Sequence, residues 1–426
     1  MINSISDPTE IPEDYYILHE CRICKGNNLK EFLNLGDIPL VNSYVDVNSP
    51  PPFDEKFPLK VLFCQGCNLS QLSIIVRPEI MYKNYSYRSS ISKTFIDHCF
   101  RLANSTVKRF SLTDKDLVVD IASNDGTALG EFLKFGVRVL GVEPAKNLAK
   151  IATNQGVTTV AEFWNKETSS KIESKYGKAS IISAMNVVAH VHDLNSFIEG
   201  LDILLKEEGV FVMEVPYLLN FINKNEFDTT YHEHLSYFLV KPLIRIFAAN
   251  GFEIFDIYKS TIHGGSIRVF VKKKLNPFIQ VDHDAINWLL ELENDLGLYD
   301  FDTYLRFSED VIKIKSDLME LLTRLNKQNK NIAAYGASAK GTVLANYCGL
   351  GNNLVQYVVD DTPEKQGFLT PGSRIPIVDY SYLKKKQPDY LLLLAWNFAD
   401  ELMEKTQDYK NAGGKYIVPI PSVRVL

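Results

Sequence analysis

The chain has 426 residues, of which 46% are hydrophobic and 23% are charged, and this is ordinary globular composition. It is too long for one compact core, so two or three domains are expected. The net charge of −6 disfavours nucleic acid and anionic membranes as partners. The first residues, "MINSISDPTE", do not follow a signal-peptide pattern, and the longest apolar run, residues 390–396, has the length of a buried strand. We therefore expect a cytoplasmic protein.

Four of the six cysteines form two C-x2-C pairs, Cys21 with Cys24 and Cys64 with Cys67. In a reducing cytosol, two such pairs are typical of a tetrahedral zinc site made of four thiolates. The alternative is four unrelated buried thiols or two disulfides. Because four protein ligands leave no coordination position open, the predicted Zn²⁺ is structural.

The stretch "LVVDIASNDGTALGEFLKFGVRVLGVEP", residues 117–144, predicts a strand, a tight polar loop, a helix and a second strand. Ala122 stands where a dinucleotide fingerprint would place its first glycine, so NAD is poorly supported. An adenosyl group without a pyrophosphate needs less glycine, which favours S-adenosylmethionine (SAM). The residues of this stretch that suit SAM are Asp120 at the strand end, Ser123, Asn124 and Asp125 in the tight turn before Gly126, and Glu143 at the end of the next strand, where a carboxylate can accept from both ribose hydroxyls.

Further strands are predicted at "ASIISAMNV" and "GVFVMEVPY", and an antiparallel pair at "FEIFDIYK" and "GSIRVFVKK". Strands that alternate with helices indicate a mainly parallel sheet. Residues 276–330 then show helical spacing and form a connector. A second α/β unit begins at "NIAAYGASAKGTVLANY".

The motif "YHEHLSYF", residues 231–238, places two histidines beside a glutamate. It is not a zinc-protease motif, because Ser236 occupies the position that the second histidine would need. One interpretation is a packed, hydrogen-bonded feature. The other is a catalytic base, with Glu233 setting the orientation or charge of a histidine. Local sequence leaves both open.

Two glycine-containing segments are candidates for substrate binding. "HGGSIRVF" is either a bulge or a place where the backbone approaches a ligand. "YGASAKGT" is not a Walker loop, yet a strand-to-helix loop with a lysine offers N–H groups and a cation to phosphate. A simple tight turn is the alternative. The candidate residues are His263, Gly264, Gly336, Ser338, Lys340 and, near a ribose, Asp360.

Several blocks in the same order resemble the nucleotide-sugar C-methyltransferases that act on 4-keto-deoxysugars, a family that includes the tetronitrose-pathway sugar 3-C-methyltransferase. They are the cysteine pairs with "CQGCNLSQL", "NYSYRSSIS", "VVDIASNDGT" with "VLGVEPA", "NVVAHVHDL", "YHEHLSYF", "HGGSIRVF" and the C-terminal "YGASAKG", "VVDDTPEKQGFLTPGSRIPI", "LLLLAWNF" and "GGKYIVPIP". The resemblance covers nearly the whole chain. One departure is Ala122, which is often glycine in the family.

The resemblance implies roles for individual residues. His234 would be the base, with Glu233 as its partner and Tyr231 beside it, whereas His232 falls at a variable position and is expected to be replaceable. Further residues implied by the resemblance are Tyr85 or Tyr87 facing the sugar, and Asn186 and His190 in the SAM pocket.

The predicted fold class is α/β with three parts. They are a small zinc-binding domain (1–88), a Rossmann-like SAM methyltransferase domain (89–275), and a connector with a Rossmann-like α/β domain that holds the nucleotide (276–426). The implied partner is a nucleotide-diphosphate 4-keto-deoxysugar, and we expect a monomer or a small homo-oligomer that binds neither nucleic acid nor a membrane.

The chemistry that the resemblance implies is methylation of a carbon, C3, next to the 4-keto group. A carbonyl acidifies the neighbouring C–H, so a positioned base can form an enolate that accepts a methyl group. Two rival hypotheses are an NAD-dependent oxidoreductase that uses the C-terminal unit and a non-catalytic nucleotide-sugar-binding protein.

Overall fold

The structure is a computed structural model that describes residues 14–48, 54–81, 89–91, 93–260 and 264–426. Tyr85, Tyr87 and His263 lie outside the described residues. Within those ranges, no helix has both the length and the apolar character that crossing a bilayer requires.

The cysteine-bearing part of the chain folds into small antiparallel sheets, which the sequence patterns did not predict. In the long strand that ends at Cys64, residues alternate between buried and part-exposed, so one face forms a core. The elements are β1 (Tyr15–Ile17), β2 (Leu29–Pro39), β3 (Val45–Asp46), β4 (Lys56–Cys64), β5 (Ser70–Leu72), β6 (Ile74–Val76) and α1 (Pro78–Met81).

The four paired cysteines come together in one cluster at the end of this sheet. Their sulfur atoms all lie within 4.8 Å of one another, with 3.4 Å between the Sγ atoms of Cys21 and Cys67 and 3.5 Å between those of Cys24 and Cys64. A zinc ion bound tetrahedrally by four thiolates holds the sulfurs roughly 3.8 Å apart. The cluster therefore fits the predicted Zn²⁺.

The central part is a seven-stranded sheet with helices on both faces. The first strand, Leu117–Ile121, has the predicted bounds and is buried throughout. The other elements are α2 (Lys93–Arg109), β7 (Leu117–Ile121), α3 (Thr127–Leu133), β8 (Arg138–Val142), α4 (Lys146–Asn154), β9 (Thr159–Val160), α5 (Lys166–Tyr176), β10 (Ala179–Met185), α6 (Leu194–Leu204), β11 (Leu205–Pro216), α7 (Leu218–Asn223), β12 (Ser236–Tyr237), α8 (Val240–Ala249), β13 (Phe252–Ser260) and β14 (Ser266–Lys273), with 3-10 turns at Ser89–Ile91, Val188–His190 and Phe227–Thr229.

The strand order in this sheet is β13-β14-β11-β10-β7-β8-β9. The strands from β11 to β9 are parallel, and β14 pairs antiparallel with both β11 and β13. The predicted parallel sheet with an antiparallel finish is therefore confirmed. In such a sheet, ligands bind at the carboxyl ends of the parallel strands, where the order reverses on either side of β7.

The C-terminal part begins with two connector helices and continues as a second α/β sheet of order β18-β16-β15-β19-β20-β21. All neighbouring strands are parallel except β20 and β21. The elements are α9 (His283–Asp295), α10 (Phe301–Lys327), β15 (Ile332–Tyr335), α11 (Ala339–Cys348), β16 (Val358–Val359), β17 (Phe368–Leu369), β18 (Ile377–Val378), α12 (Tyr380–Lys385), β19 (Tyr390–Leu393), α13 (Ala399–Lys405), α14 (Gln407–Asn411), β20 (Lys415–Val418) and β21 (Arg424–Val425), with 3-10 turns at Pro363–Lys365 and Trp396–Phe398.

The α/β fold class is confirmed by these two sheets and the cysteine cluster, while the three domain boundaries stay predictions. Two strand pairings cross the expected divisions, and one of them joins β3 of the cysteine-bearing part to β17 of the C-terminal part. The strand β12 lies in the "YHEHLSYF" segment but pairs with β5 of the cysteine-bearing sheet. The backbone of Leu235 joins both sides, because its N–H donates to the Ala189 carbonyl and its carbonyl accepts from the Leu72 N–H.

The side chain of Arg22 adds a second link between the cysteine cluster and the central part. Arg22 is buried, and its guanidinium donates to the carbonyls of Val191 and His192 and to the Ser236 hydroxyl. Since Arg22 lies between Cys21 and Cys24, the cysteine turn determines where this guanidinium points.

Removal of the metal by a chelator is expected to expose the backbone amides around β12 to solvent. The four thiolates would then repel or rearrange, and the sheet that pairs with β12 would lose its anchor. Hydrogen–deuterium exchange of peptides that cover 231–238 measures this, and zinc should be found at one ion per chain before treatment.

Peptides from β15 and β19 in the C-terminal sheet are the internal control and should keep their protection. Equal loss of protection in both sheets would mean global unfolding, and unchanged exchange around β12 would contradict the anchoring role of the cluster.

Candidate active site at the carboxyl edge of the central sheet

His234 has a defined orientation in the structure. Its Nδ1 lies 2.8 Å from the Thr229 carbonyl oxygen, and a carbonyl only accepts, so Nδ1 carries the proton. The Tyr231 ring lies 3.9 Å from the imidazole, centroid to centroid, and the His190 ring meets it edge-on at 4.8 Å. Because Nδ1–H donates to this carbonyl, Nε2 is the nitrogen whose lone pair can accept a proton.

Glu233 lies in a turn beside a cavity of about 250 Å³. The Asn42 side-chain amide donates to Glu233 Oε1 at 2.8 Å. Burial raises the pKa of Glu233 to about 7, and the Asn42 hydrogen bond only partly offsets this. The cavity is lined by Leu40, Val41, Asn42, Ser43, Ile80, Met81, His232 and Glu233.

His232 is almost fully buried and packs against Phe57. Its ring meets the Phe57 ring edge-on at 5.7 Å, and its Nε2 lies 3.3 Å from the Phe57 carbonyl oxygen. Burial lowers its pKa to about 4. That His232 is replaceable for chemistry stays a prediction, and its packing suggests a cost to stability on replacement.

The polar loop after β7 is held in left-handed backbone conformations. The φ angles are 51° at Ala122, 53° at Asn124 and 83° at Gly126. Gly126 has a second requirement, because a Cβ there would lie 3.0 Å from the Ala152 Cβ. Ala122 carries a side chain at a φ that favours glycine, so the loop is strained at this position.

Two buried carboxyl groups lie at the ends of β7 and β8. Glu143 accepts from the backbone N–H groups of Asn124 and Ala145 at 2.9 and 2.8 Å, one on each oxygen. Each oxygen keeps a second lone pair, so Glu143 can still accept from two hydroxyls. Asp120 accepts from the Ser183 hydroxyl at 2.6 Å, and burial raises its pKa to about 7.

Two orphaned polar atoms fit a ligand at this edge. Among the described residues, the buried atoms Ser123 Oγ and Asn186 Oδ1 have no hydrogen-bond partner. Ser123 follows β7 and Asn186 follows β10, the adjacent strands whose carboxyl ends form the expected crevice. Asn186 has a φ of 60°, a strained conformation typical of functional positions. The predicted SAM residues therefore fit the cofactor.

The segment just before α2 covers the same loop. The backbone N–H of Ser89 donates to Asn124 Oδ1, and that of Ser90 donates to Asp125 Oδ2, both at 3.0 Å. The residues that connect this segment to the zinc-binding part include the predicted Tyr85 and Tyr87. The loop side chains Asn124 and Asp125 therefore fix where that connection ends.

The predicted phosphate loop of the C-terminal unit is compact. Gly336 has a φ of 99°, and a Cβ there would lie 2.6 Å from the Ala395 Cβ, so packing alone requires glycine. Ser338 caps α11 by accepting from the Gly341 N–H at 3.1 Å. Asp360 accepts from the Ala337 N–H at 2.8 Å.

Lys340 faces the central part of the molecule. Its Nζ lies 3.3 Å from Glu226 Oε2 and 5.2 Å from the centre of the Trp396 ring. Gly264 is close to the same carboxylate, since a Cβ on it would lie 3.0 Å from both Glu226 oxygens. The structure thus brings Gly264 and Lys340 together around Glu226, a residue that the sequence reasoning did not single out.

Other contributors were missed as well. Thr229 and Asp228 lie within three positions of the start of the histidine motif, but a carbonyl that accepts from a ring nitrogen leaves no sequence signal. Asn42 lies 191 positions before Glu233, between the two cysteine pairs, where no motif marks it. Trp396 was counted only as the end of an apolar strand.

The comparisons with known proteins agree with this architecture. Three family models match the chain: "Putative zinc binding domain" at residues 21–82, "Methyltransferase domain" at 95–257 and "C-methyltransferase C-terminal domain" at 261–421. Together with the sheet order, they define a SAM-dependent methyltransferase. The chain is 35% identical to "C-methyltransferase NovU" of Streptomyces niveus over 412 residues, which is 96% of this chain and 97% of the relative. It belongs to the family of these C-methyltransferases, and the oxidoreductase alternative is set aside.

Solved structures show weaker likeness. A SAM-dependent methyltransferase from Anabaena variabilis is 18% identical, with 41% of this chain and 84% of that chain covered and a TM-score of 0.32. The magnesium protoporphyrin IX methyltransferase of Synechocystis, solved with bound SAH, is 13% identical, with 45% and 90% covered and a TM-score of 0.33. Scores this low add nothing to the assignment.

The substitution Ala122→Gly is expected to raise the free energy of unfolding by roughly 0.5 to 1 kcal/mol, because glycine relieves the left-handed strain and gives back only part of the gain as unfolded-state entropy. Scanning calorimetry of the purified chain measures the effect. Ala149→Gly, inside helix α4, is the matched control and should lower stability by about 1 kcal/mol. A loss at both positions would show that the loop is not strained.

Proposed function

We propose that this C-methyltransferase acts on a nucleotide-linked 4-keto-deoxysugar and methylates the carbon next to the keto group, C3. The observation that carries the proposal is the fixed imidazole of His234 at the carboxyl edge of the sheet. Support also comes from the blocks shared along the chain with enzymes of that substrate class and from the second α/β unit beside the site. We further propose that it works in the cytoplasm.

His234 is the base in this proposal. The Thr229 carbonyl keeps the proton on Nδ1, so Nε2 takes the proton from the substrate carbon. The same carbonyl stabilises the resulting imidazolium, because it continues to accept from Nδ1–H. Desolvation lowers the pKa of the adjacent His190 to about 4, so that ring stays neutral and does not repel a protonated His234.

The oxygen of the enolate needs hydrogen-bond donors as negative charge develops on it. The Tyr231 hydroxyl is one candidate, and Tyr85 or Tyr87 are others. Glu233 is a further candidate, because a carboxyl with a pKa of about 7 is protonated in a large fraction of molecules at neutral pH. Its assignment as the partner of His234 stays a prediction, since its amide partner in the structure is Asn42.

The residues assigned to SAM are Asp120, Ser123, Asn124, Gly126, Glu143, Asn186 and His190. Glu143 would accept from the ribose hydroxyls, and the open Ser123 and Asn186 oxygens would accept from donors of the bound molecule. When bound, SAM supplies an electrophilic methyl group on its sulfonium centre.

The nucleotide is assigned to the C-terminal unit. Lys340, Ser338 and Gly336 would face the diphosphate, Asp360 the ribose, and Gly264 with His263 the sugar side of the cleft. The ammonium of Lys340 has three donors, so it can bind a phosphate oxygen while it remains close to Glu226.

Incubation with SAM and a panel of dTDP-, GDP-, CDP- and UDP-linked 4-keto-deoxysugars tests the substrate class. The expected result is a mass gain of one methyl group on at least one member of the panel. The matching sugars without the keto group should gain nothing, because their C–H bond is not acidic. A panel with no methylated product would contradict the proposal.

The substitution His234→Asn tests the base. SAM binding measured by calorimetry should stay near normal, whereas solvent deuterium exchange at the carbon next to the keto group should be lost. His192→Asn is the matched control, since His192 packs edge-on to Tyr16 outside the site, and it should keep exchange. Exchange retained in His234→Asn would assign the base to another residue.

A further inference from the structure

A hydrogen bond across the molecule ends directly beside the base. Trp396 begins the 3-10 turn that follows β19 in the C-terminal sheet, and its indole Nε1 donates to Asp228 Oδ2 at 2.6 Å. Asp228 is fully buried and lies in the 3-10 turn Phe227–Thr229 of the central part. Thr229, the next residue, supplies the carbonyl that accepts from His234.

The turn that carries this carbonyl is small. Its backbone bonds are those from the Thr229 N–H to the Glu226 carbonyl at 2.9 Å and from the Thr230 N–H to the Phe227 carbonyl at 3.0 Å. A single 3-10 turn has poor hydrogen-bond geometry and little stability of its own. The direction of the Thr229 carbonyl therefore depends on side-chain contacts that hold the turn. The Phe227 ring packs against the Tyr347 ring at 5.4 Å, and the Asp228 carboxylate accepts the hydrogen bond from Trp396.

The environment of Asp228 is unusual for a carboxyl group with only a packing role. Burial raises its pKa to about 6, while Lys340 and the Trp396 hydrogen bond favour the charged form and Glu226 opposes it. Among the described residues, its Oδ1 has no hydrogen-bond partner. Burying a carboxylate this incompletely satisfied is costly, and such groups are typically retained for function.

We propose that Trp396 and Asp228 are positioning residues for the base. They hold the Thr229 carbonyl in place, so that His234 keeps its proton on Nδ1 and presents Nε2 to the substrate. The inference rests on the proposed role of His234 and adds that the C-terminal unit sets the tautomer of the base. The catalytic imidazole is then ready only when the nucleotide-binding unit is docked, since Trp396 and Lys340 approach the turn together.

The first test reads the imidazole directly and needs no substrate. In a full-length chain with ¹⁵N-labelled histidine, the His234 ring signals are those that disappear in His234→Asn. Native protein should show the Nδ1-protonated tautomer. Trp396→Phe removes the donor and keeps an aromatic ring. It should give a mixture of tautomers and a lower imidazole pKa, because the Thr229 carbonyl that stabilises the imidazolium is no longer held in place.

The second test uses the ketosugar nucleotide that the panel identifies. Trp396→Phe should lower kcat and the rate of deuterium exchange by about 10- to 100-fold, by analogy with the loss of a group that orients a metal-binding imidazole. KM for SAM should not change, and the acidic limb of the pH profile should move to lower pH. Asp228→Asn keeps an oxygen that accepts from Trp396 and should show a smaller loss than Asp228→Ala.

Arg374→Gln is the matched control. It weakens another contact of the C-terminal unit, the 3.0 Å ion pair between Arg374 and Asp54. This ion pair does not involve the turn Phe227–Thr229, so the substitution should leave the His234 tautomer and kcat unchanged. An equal loss in Arg374→Gln and Trp396→Phe would overturn the inference in favour of general loosening.

The outcomes also separate this inference from the base assignment. If Trp396→Phe retains the native tautomer, kcat and pH profile while His234→Asn loses exchange, the positioning role is wrong and the base stands. If His234→Asn keeps exchange, the base assignment itself is wrong. Thermal unfolding of each variant verifies that the comparison is made on folded protein.

Discussion

The backbone of Leu235 is the point on which the active site depends. Its N–H donates to the carbonyl of Ala189, in the 3-10 turn that follows β10, and its carbonyl accepts from the N–H of Leu72, the last residue of β5 in the cysteine-bearing sheet. His234 precedes Leu235 and His190 follows Ala189, so the backbone hydrogen bond between Leu235 and Ala189 holds the two rings close together. The sheet that carries the cysteine cluster is thereby joined through Leu235 to the segment that contains His234.

The polar groups of the site are buried before any ligand arrives. Asp120, Glu143, Asp228 and Glu233 all have pKa values raised by desolvation, which means that the fold has removed water from these carboxyl groups without fully replacing its hydrogen bonds. Such burial of polar groups costs stability, and it keeps solvent away from the site during the reaction. The strain at Ala122 and Asn186 belongs to the same pattern, because both residues shape the cofactor edge.

Much of the fold follows from local patterns. The strand at Leu117–Ile121, the polar loop after it and the antiparallel pair near residue 260 were readable because buried strands are apolar runs and turns need glycine or asparagine. The cysteine spacing likewise predicted the cluster that the structure shows. The small sheets around the cysteines were not readable, since most of their strands are only two or three residues long and one of them, β12, comes from a distant segment.

The sequence by itself determined which functional groups and units the protein contains. They are four thiolates for a metal, a SAM-type loop, a histidine motif without zinc-protease spacing, and a second α/β unit with a lysine loop. Only the tertiary structure decided which groups meet. The Thr229 carbonyl accepts from His234, the Asn42 amide donates to Glu233, and the Trp396 indole donates to Asp228. These contacts join residues whose separation along the chain runs from 5 to 191 positions, and one of them uses a backbone carbonyl that every residue possesses. Sequence spacing encodes neither a contact between distant residues nor the direction of a backbone carbonyl. The arrangement of the site is therefore a property of the folded chain.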